Sequence, residues 1–486
     1  MSRPLMTALP RRWALTLAPA LLLPLGACAT NPVTGERELA LISESQEIQM
    51  GQQYKQQVEA TLGLVDDAAL QAYVDRVGQR LAAVSERPEL PWSFGVVDDP
   101  TPNAFALPGG PIYITRGLMT LMDSEAELAS VLGHEIGHIT ARHAVSQLSR
   151  AQLAQVGLIA GMILRPELQG LGGLASSGLQ ILFLKYGRDD ERQADDLGYR
   201  YAGTLNYDVR EMADVFAQLQ RAGEMAGHSP LPSWLSSHPY PEERIARIQE
   251  RLAQEDPALL DQTDAGRAAY MRQVDGLVYG ENPRQGYFED ALFLHPDLRF
   301  RWQLPRGWKT QNMTQAVIAV SPQEDAMLEL TLAPGGSATQ AAQAFLSQQG
   351  LQVGQSGRTT VNGLPAYSAL FQARTEQGVL TGQVVFIEYG GAVYRIMGYT
   401  PQARFSSYDD IFRSSLGSFA QLTDPAALAV QPKRLDIVEA PRAMTLADFQ
   451  RQWPSSIPME ELALINQVSG ADARIPMGAY VKRVTE

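Results

Sequence analysis

Cysteine is almost absent from this chain: Cys28 is the single one in 486 residues. A lone thiol closes no internal disulfide, so no cross-link framework holds the fold. Positive charge is also scarce. Against 53 Asp and Glu stand 40 Lys and Arg, a net charge of −13, and no basic stripe stands out. That balance argues against a nucleic-acid partner. Apolar runs long enough to cross a bilayer as a mature helix are missing as well. Residues 151–184 are apolar and glycine-rich, but Arg165, Pro166, Glu167 and several glycines interrupt them before ~20 apolar residues accumulate. They read instead as two helices packed over their neighbours. No internal repeat of solenoid type is present. What is there is globular: 45% apolar and 19% charged residues, in a length that suggests about three domains at ~150 residues each.

The first 28 residues stand apart. Arg11 and Arg12 form a positive start, and Trp13 to Leu25 is an apolar run too short to span comfortably. It ends in Leu25-Gly26-Ala27-Cys28, and small residues before a cleavage point mark a signal peptide. The segment resembles the lipobox of bacterial lipoproteins, whose cysteine is acylated and becomes the mature N-terminus. Ala29 is not the Asp that retains such proteins in the inner membrane. The resemblance therefore implies a periplasm-facing protein held to the outer membrane by lipid on Cys28.

The remainder is expected to be α+β. Residues 29–275 form a mainly helical domain with a small sheet. Glu44 to Val84 reads as a helix from its near-3.6 periodicity. Pro91 to Ile114 reads as strands, split by Pro108-Gly109-Gly110. Ser124 with Glu127 fits a capping box that opens a long helix, with Leu128, Val131, Leu132, Ile136 and Ile139 as its buried stripe. Asp189 to Gly203 and Val209 to Met225 are further helices. After a turn-rich linker at residues 279–286, residues 286–422 read as a strand-rich α+β domain without a catalytic motif or nameable ligand. A second linker, residues 424–434, leads to a small unit at 435–486.

One constellation carries chemistry. His134-Glu135-Ile136-Gly137-His138 places two imidazoles one turn apart on a helix face, where both reach one Zn²⁺. Glu135 is offset ~100° around the helix and too close in sequence to be a third ligand. It can meet a zinc-bound water, the general-base arrangement of metalloproteases. Roughly fifty residues on, Glu191 and Asp195 are four apart on another helix. Glu191 completes a His₂Glu site with an open position, and Asp195 can accept the other ring N–H of a ligand histidine. Asp189, Asp190 and Asp196 read as a solvated face. His143, nine residues from His134, falls ~180° round the helix and is not expected to share the metal. Pro111, Ile112, Tyr113 and Ile114 read as an edge strand to which an extended peptide can add. An interior strand of the same sheet fits that pattern equally well.

These pieces together resemble the gluzincin zinc peptidases related to HtpX and the CAAX prenyl protease, in particular their periplasmic BepA- and LoiP-like branch. Asn31-Pro32-Val33-Thr34-Gly35, Asn103 to Gly110, the His134 helix, Glu191-x-x-Ala194-Asp195 and Ser237-His238-Pro239 occur in that order over residues 30–250. The resemblance implies one Zn²⁺ per chain and hydrolysis of misfolded or stalled envelope proteins. It also implies a His238 that lies near the metal, where it stabilises the oxyanion or caps the zinc, and an Arg244 beside it. On sequence alone His238 could be a loop histidine held by its prolines, and Arg244 could pair with Glu242 or Glu243. BepA-like members continue into helical repeats; this chain continues into strands, which unsettles any transfer of their partners, the outer-membrane assembly machinery included. The alternative is an assembly factor or chaperone whose latched zinc site rarely cuts. The tail, with Leu435 to Val438, Thr445-Leu446, Ile465-Asn466 and Pro476 to Gly478, resembles a LysM-like peptidoglycan-binding unit, with Ala443-Met444 where Gly-Asp is usual.

Overall fold

The computed structural model describes residues 28–150, 185–225, 233–375 and 378–486. Residues 1–27 of the expected signal segment, the two helices expected in 151–184 and His228 lie outside the described residues. The class is α+β, as expected.

β1 (Cys28–Thr30) and β2 (Arg37–Leu39) pair as a hairpin ahead of helix α1 (Glu44–Leu62) and helix α2 (Ala68–Ala83). The sequence reads as one helix across both. The chain interrupts it because Leu64 bridges to Val97 and Val65 N–H donates to Val96 O, which uses the break as an extra rung beside the first long strand. Asp67 then restarts the helix, accepting from the N–H groups of Ala69 and Leu70. Strands β3 (Ser93–Val97), β4 (Ala104–Ala106) and β5 (Pro111–Thr115) form a three-stranded sheet in the order β3–β5–β4.

That order corrects the reading of Pro111 to Ile114 as an edge. β5 runs parallel to β3 and antiparallel to β4, and all five of its residues are buried. The edge beside it is β4, because the Pro108-Gly109-Gly110 turn folds residues 104–106 back along its outer side. Apolar pattern alone does not separate the two arms of such a hairpin.

After α3 (Arg116–Leu121), helix α4 (Glu125–Thr140) begins with the expected capping box: Ser124 Oγ accepts from Glu127 N–H while the Glu127 carboxylate accepts from Ser124 N–H. Every side chain from Ala126 to Thr140 is buried, not just one stripe. Around it pack α5 (Arg188–Thr204), α6 (Glu211–Met225), α7 (Ser233–Ser237), α8 (Pro241–Leu252), α9 (Pro257–Leu260) and α10 (Arg267–Val274).

The second part opens with a small sheet of β6 (Tyr287–Glu289), β7 (Leu292–His295) and β8 (Phe300–Gln303). Next come β9 (Lys309–Asn312), β10 (Ala316–Val320), β11 (Met327–Ala333), helix α11 (Ala338–Leu346), β12 (Leu351–Val361), β13 (Leu364–Thr375), β14 (Gly378–Tyr389) and β15 (Ala392–Pro401). These seven strands form one antiparallel sheet in the order β12–β13–β14–β15–β11–β10–β9. Helix α11 covers one face, packing Ala341 and Ala342 near Phe371 and Phe386. Helix α12 (Phe405–Leu416) covers the other, with Phe412 near Leu328 and Ile396. β16 (Ala420–Gln421) closes the small sheet. β12 keeps its polar, glycine-containing residues exposed along most of its length.

The tail contains α13 (Pro425–Ala429), β17 (Arg434–Glu439), β18 (Met444–Thr445), α14 (Leu446–Gln452), α15 (Met459–Ile465), β19 (Arg474–Ile475) and β20 (Tyr480–Thr485). β17 pairs antiparallel with β20, and two helices lie between them in sequence. Its apolar residues do not close on themselves alone. Leu446, Phe449, Leu462, Ile465 and Val484 join the same hydrophobic cluster as Leu128, Val131 and Phe216. Lys482, fully buried, donates to the carbonyls of Thr120, Met122 and Ile465 and lies 2.6 Å from Asp123 Oδ1, just ahead of α4. Gln467 donates to Glu127 at 2.6 Å.

A buried charge that loses its partner is costly. Lys482→Met should therefore destabilise the helical part by about 3–5 kcal/mol, read by urea unfolding in the presence of saturating zinc. A loss below about 1 kcal/mol would show that the contact is no more than a surface ion pair.

Candidate metal centre

α4 and α5 cross unusually closely, and small residues permit it. A Cβ on Gly198 would sit 2.8 Å from the backbone N of His134, and one on Gly137 would sit 3.0 Å from Ala194 Cα. Gly133 meets Gly198 in the same way, at 3.1 Å. With no side chains between the backbones, residues in the first turns of α5 reach the last turns of α4.

Four side chains converge as a result. His134 and His138 Nε2 atoms are 3.0 Å apart. Glu191 Oε1 lies 3.5 Å from His138 Nε2, and its Oε2 lies 3.6 Å from His134 Nε2. His238 Nδ1 is 3.2 Å from His134 Nε2 and 3.0 Å from Glu191 Oε1. One ligand atom from each of the four lies within 4.8 Å of all the others, and all four residues are buried. Imidazole lone pairs and a carboxylate crowded at such separations need either ring protons or a cation among them. Glu135 Oε1 is also buried without a hydrogen-bond donor. Three imidazoles and a carboxylate in this space are a donor set for Zn²⁺.

The surroundings fix the ligands. His134 Nδ1 lies 2.9 Å from Asp195 Oδ1, which sets the proton on Nδ1 and leaves Nε2 as the ligand atom. Asp195 also accepts from Arg244, Nε at 2.8 Å and Nη2 at 2.6 Å, a bidentate pair. Arg244 Nη1 lies 3.0 Å from Glu191 Oε2. Its guanidinium sits 4.1 Å from the Phe216 ring centre and 4.8 Å from that of Trp234. Arg244 therefore joins the centre and does not pair with Glu242 or Glu243; Glu243 pairs with Arg192 and Arg188. Trp234 stacks on His238, and Tyr186 stacks on His138 with centroids 3.9 Å apart.

The electrostatics follow from burial and charge. Burial alone would raise the Glu191 carboxyl, but His238 and Arg244 outweigh it and hold that carboxyl well below its usual range. Burial likewise opposes ionisation of Asp195, and Arg244 again reverses the sign. Burial, then Arg244, pushes His134 down to about 3, so its ring is neutral and able to ligate at neutral pH. Glu135 has no such direct cation. Burial raises it to about 7, close to the value that suits a general base.

The structure brings His134, Glu135, His138, Glu191, Asp195, His238 and Arg244 together in one buried cluster. His143 is not among the clustered ligand atoms, yet it is not far off, as the helical extrapolation required. α4 ends at Thr140, Arg142 adopts φ 60, and His143 turns back so that its Nδ1 lies 2.9 Å from His138 Nδ1. Its Nε2 lies 2.9 Å from Gln193 Oε1. Sequence reading missed His143, Gln193, Tyr186 and Trp234. No Gly, Asn or Pro follows Thr140 to signal the stop, and aromatic residues near a site look like core.

Residues 68–252 match the family model described as peptidase family M48. The putative beta-barrel assembly-enhancing protease of Vibrio cholerae is 31% identical over 223 residues, 44% of this chain and 46% of that one. The beta-barrel assembly-enhancing protease of Escherichia coli K12 is 28% identical over 262 residues, 52% of this chain and 53% of that one. The mitochondrial metalloendopeptidase OMA1 of Schizosaccharomyces pombe is 31% identical over 227 residues, 46% of this chain and 65% of that one. The chain spans about half the length of the first two.

Separating α4 from α5 should undo the site without touching a ligand. Gly198→Val is expected to cost about 1–3 kcal/mol and to lower zinc retention through desalting, measured by atomic absorption. Gly203→Ala on the same helix, where a Cβ meets nothing closer than 3.6 Å, is the control. Equal zinc in both variants would contradict the packing argument. The stretch that carries every candidate ligand but none of the sheet domain, residues 68–252, is thus the part of this chain that matches peptidase family M48.

Proposed function

We propose that the chain is a zinc-dependent endopeptidase of the cell envelope that cuts misfolded or stalled envelope proteins, outer-membrane proteins among them. The observation that carries this reading is the buried convergence of His134, His138 and Glu191, with Glu135 on the same helix and raised to about 7. A zinc ion held by those three residues supplies Lewis acidity toward a scissile carbonyl. The rest falls to the chain's own groups. Glu135 takes a proton from the attacking water and passes it to the leaving amine. His238, whose Nε2 is 3.4 Å from Glu135 Oε1, donates to the developing oxyanion. An extended peptide adds to the free side of β4, whose partner among the described residues is β5. Backbone pairing of that kind ignores sequence and suits unfolded segments. A narrow cleft lined by Ala106, Leu107, Val145, Tyr186 and His138 leads from the end of β4 to the metal ligands. The bacterial relatives, beta-barrel assembly-enhancing proteases, favour assembling β-barrel proteins as the substrate class.

A second reading has its own observation. His238 Nδ1 stands as close to His134 and Glu191 as a fourth ligand would. A latched site of that kind belongs to an assembly factor or chaperone that holds clients and rarely cuts. Turnover separates the two readings. With an unfolded outer-membrane protein as substrate, Glu135→Gln should keep its zinc and lose cleavage by about 10²–10⁴-fold, and a chelator should stop the wild type. Wild-type cleavage by Glu135→Gln would end the peptidase assignment. His238→Ala slows cleavage if His238 serves the oxyanion and speeds it if His238 is a latch.

Location rests on the lipobox-like Leu25-Gly26-Ala27-Cys28. Among the described residues no helix is long and apolar enough to cross a membrane. We place the protein in the periplasm, anchored to the outer membrane through lipid on Cys28. The strand–helix–helix–strand order of the tail, with β17 and β20 paired, favours the LysM-like reading and contact with peptidoglycan. Fractionation tests both tethers. Cys28→Ser should lose labelled palmitate and leave the membrane pellet, and the full chain should sediment with insoluble peptidoglycan unless soluble fragments compete. Unchanged membrane association would sink the anchor, and failure to sediment would sink the wall contact.

A further inference from the structure

The metal ligands are not supported alike. His134 has Asp195 behind it, a carboxylate that can only accept. Behind His138 stands a second imidazole. His138 turns Nε2 toward Glu191 and His134, so its Nδ1 faces outward, 2.9 Å from Nδ1 of the buried His143. Two neutral imidazoles at that distance share one proton, and which ring carries it decides what His138 can do. With the proton on His138 Nδ1, its Nε2 lone pair is free for a metal; with the proton on His143 Nδ1, a neutral His138 must carry its own proton on Nε2 and cannot ligate.

The far side of His143 favours one choice. Its Nε2 lies 2.9 Å from Gln193 Oε1, an acceptor, and 3.8 Å from Asp190 Oδ1. Both oxygens favour N–H at Nε2, which leaves His143 Nδ1 as the acceptor for His138. Gln193 and Asp190 stand in the first turns of α5, the helix that delivers Glu191.

The bend that brings His143 back is itself held. Arg142 at φ 60 donates from Nε to Glu47 Oε2 at 3.0 Å and from Nη2 to Ile42 O at 2.9 Å. Asn31 donates from Nδ2 to Ala141 O at 3.3 Å, and its Oδ1 accepts from the N–H groups of Val33 and Thr34. Arg87 donates from Nη1 to Ile139 O at 3.0 Å. The Asn31-to-Gly35 segment thereby acquires a structural purpose: it clasps the turn that carries His143.

We propose that His143 is a positioning residue that, with Gln193 behind it, holds His138 in the tautomer able to bind the metal. The role rests on the zinc-site reading. It extends that site to a chain Gln193–His143–His138, parallel to the Arg244–Asp195–His134 chain on the other ligand.

The test is zinc affinity of the full-length protein, by competition with a chromophoric chelator, with the unfolding temperature of each zinc-free variant recorded alongside. Glu191→Ala tests the site itself. His143→Ala should weaken zinc binding about 10–100-fold while the zinc-free unfolding temperature stays near wild type. His143→Gln, whose amide oxygen can accept from His138 Nδ1, should recover most of the loss. Gln193→Leu should weaken binding and Gln193→Glu should not; this pair serves if His143→Ala does not fold. Wild-type affinity in both His143→Ala and Gln193→Leu, with Glu191→Ala impaired, overturns the role of His143 and leaves the site. A wild type that binds no zinc overturns both.

Discussion

Everything at the metal centre depends on two helix backbones coming closer than side chains normally allow. Gly133 and Gly137 on α4 face Gly198 and Ala194 on α5. Glycine in a helix interior costs roughly 0.5–1 kcal/mol against alanine, so three of them along one contact are a standing expense that packing must offset. What the contact gives is reach. Glu and Asp side chains are short, and only a close crossing lets Glu191 and Asp195 meet rings that leave α4 one turn apart. The glycines inside and before the His-Glu-x-x-His segment therefore belong to the ligand geometry as much as the histidines do.

The second constraint is charge. Three carboxylates, Glu135, Glu191 and Asp195, are buried within one small volume, and burying carboxylates without compensation is prohibitive. Arg244 answers for two of them, forked onto Asp195 and in contact with Glu191, with its flat faces against Phe216 and Trp234. Glu135 has no such partner, and that asymmetry separates the roles. The two carboxylates beside the guanidinium stay ionised; the one beyond its direct reach rises to about 7 and can exchange a proton.

How much of this was legible in the sequence depended on the range of the interaction. Local signals worked. The Ser124–Glu127 capping box, the i to i+4 spacing of His134 and His138 and the matching spacing of Glu191 and Asp195 are properties of single helices, and each recurs in the structure. Three of the failures are at places where another segment decides. Leu64 and Val65 leave a helical pattern because β3 offers them a rung. β5 lies inside its sheet because a hairpin folds β4 around it, a choice that alternation cannot express. His143 was extrapolated along a helix that stops at Thr140 because Arg87 and Asn31, about 50 and 110 residues away in sequence, take the carbonyls of Ile139 and Ala141.

The two ends of α4 show the same principle on the scale of the whole chain. Its N-terminal end is held by the tail: Gln467 reaches Glu127, and Lys482 meets Asp123 and the carbonyls of Thr120 and Met122. Its C-terminal end is held by the segment after Cys28, through Asn31, and through the Glu47–Arg87–Arg142 network. The 435–486 unit is thus more than a module strung on a linker, because its apolar residues complete the core around the metal helix. Whatever contacts the surface of that unit acts on structure continuous with the start of α4, two and a half turns from His134. The sheet domain between them, by contrast, keeps its own cores on both faces of the seven-stranded sheet. The chain therefore leaves the helical core, builds the sheet with its own cores while Gln285 bonds back to Asp98 and Gln315 to the carbonyl of Ala60, and returns to finish the first core. The tail, unlike the sheet, shares its apolar core with the helix that carries His134 and His138.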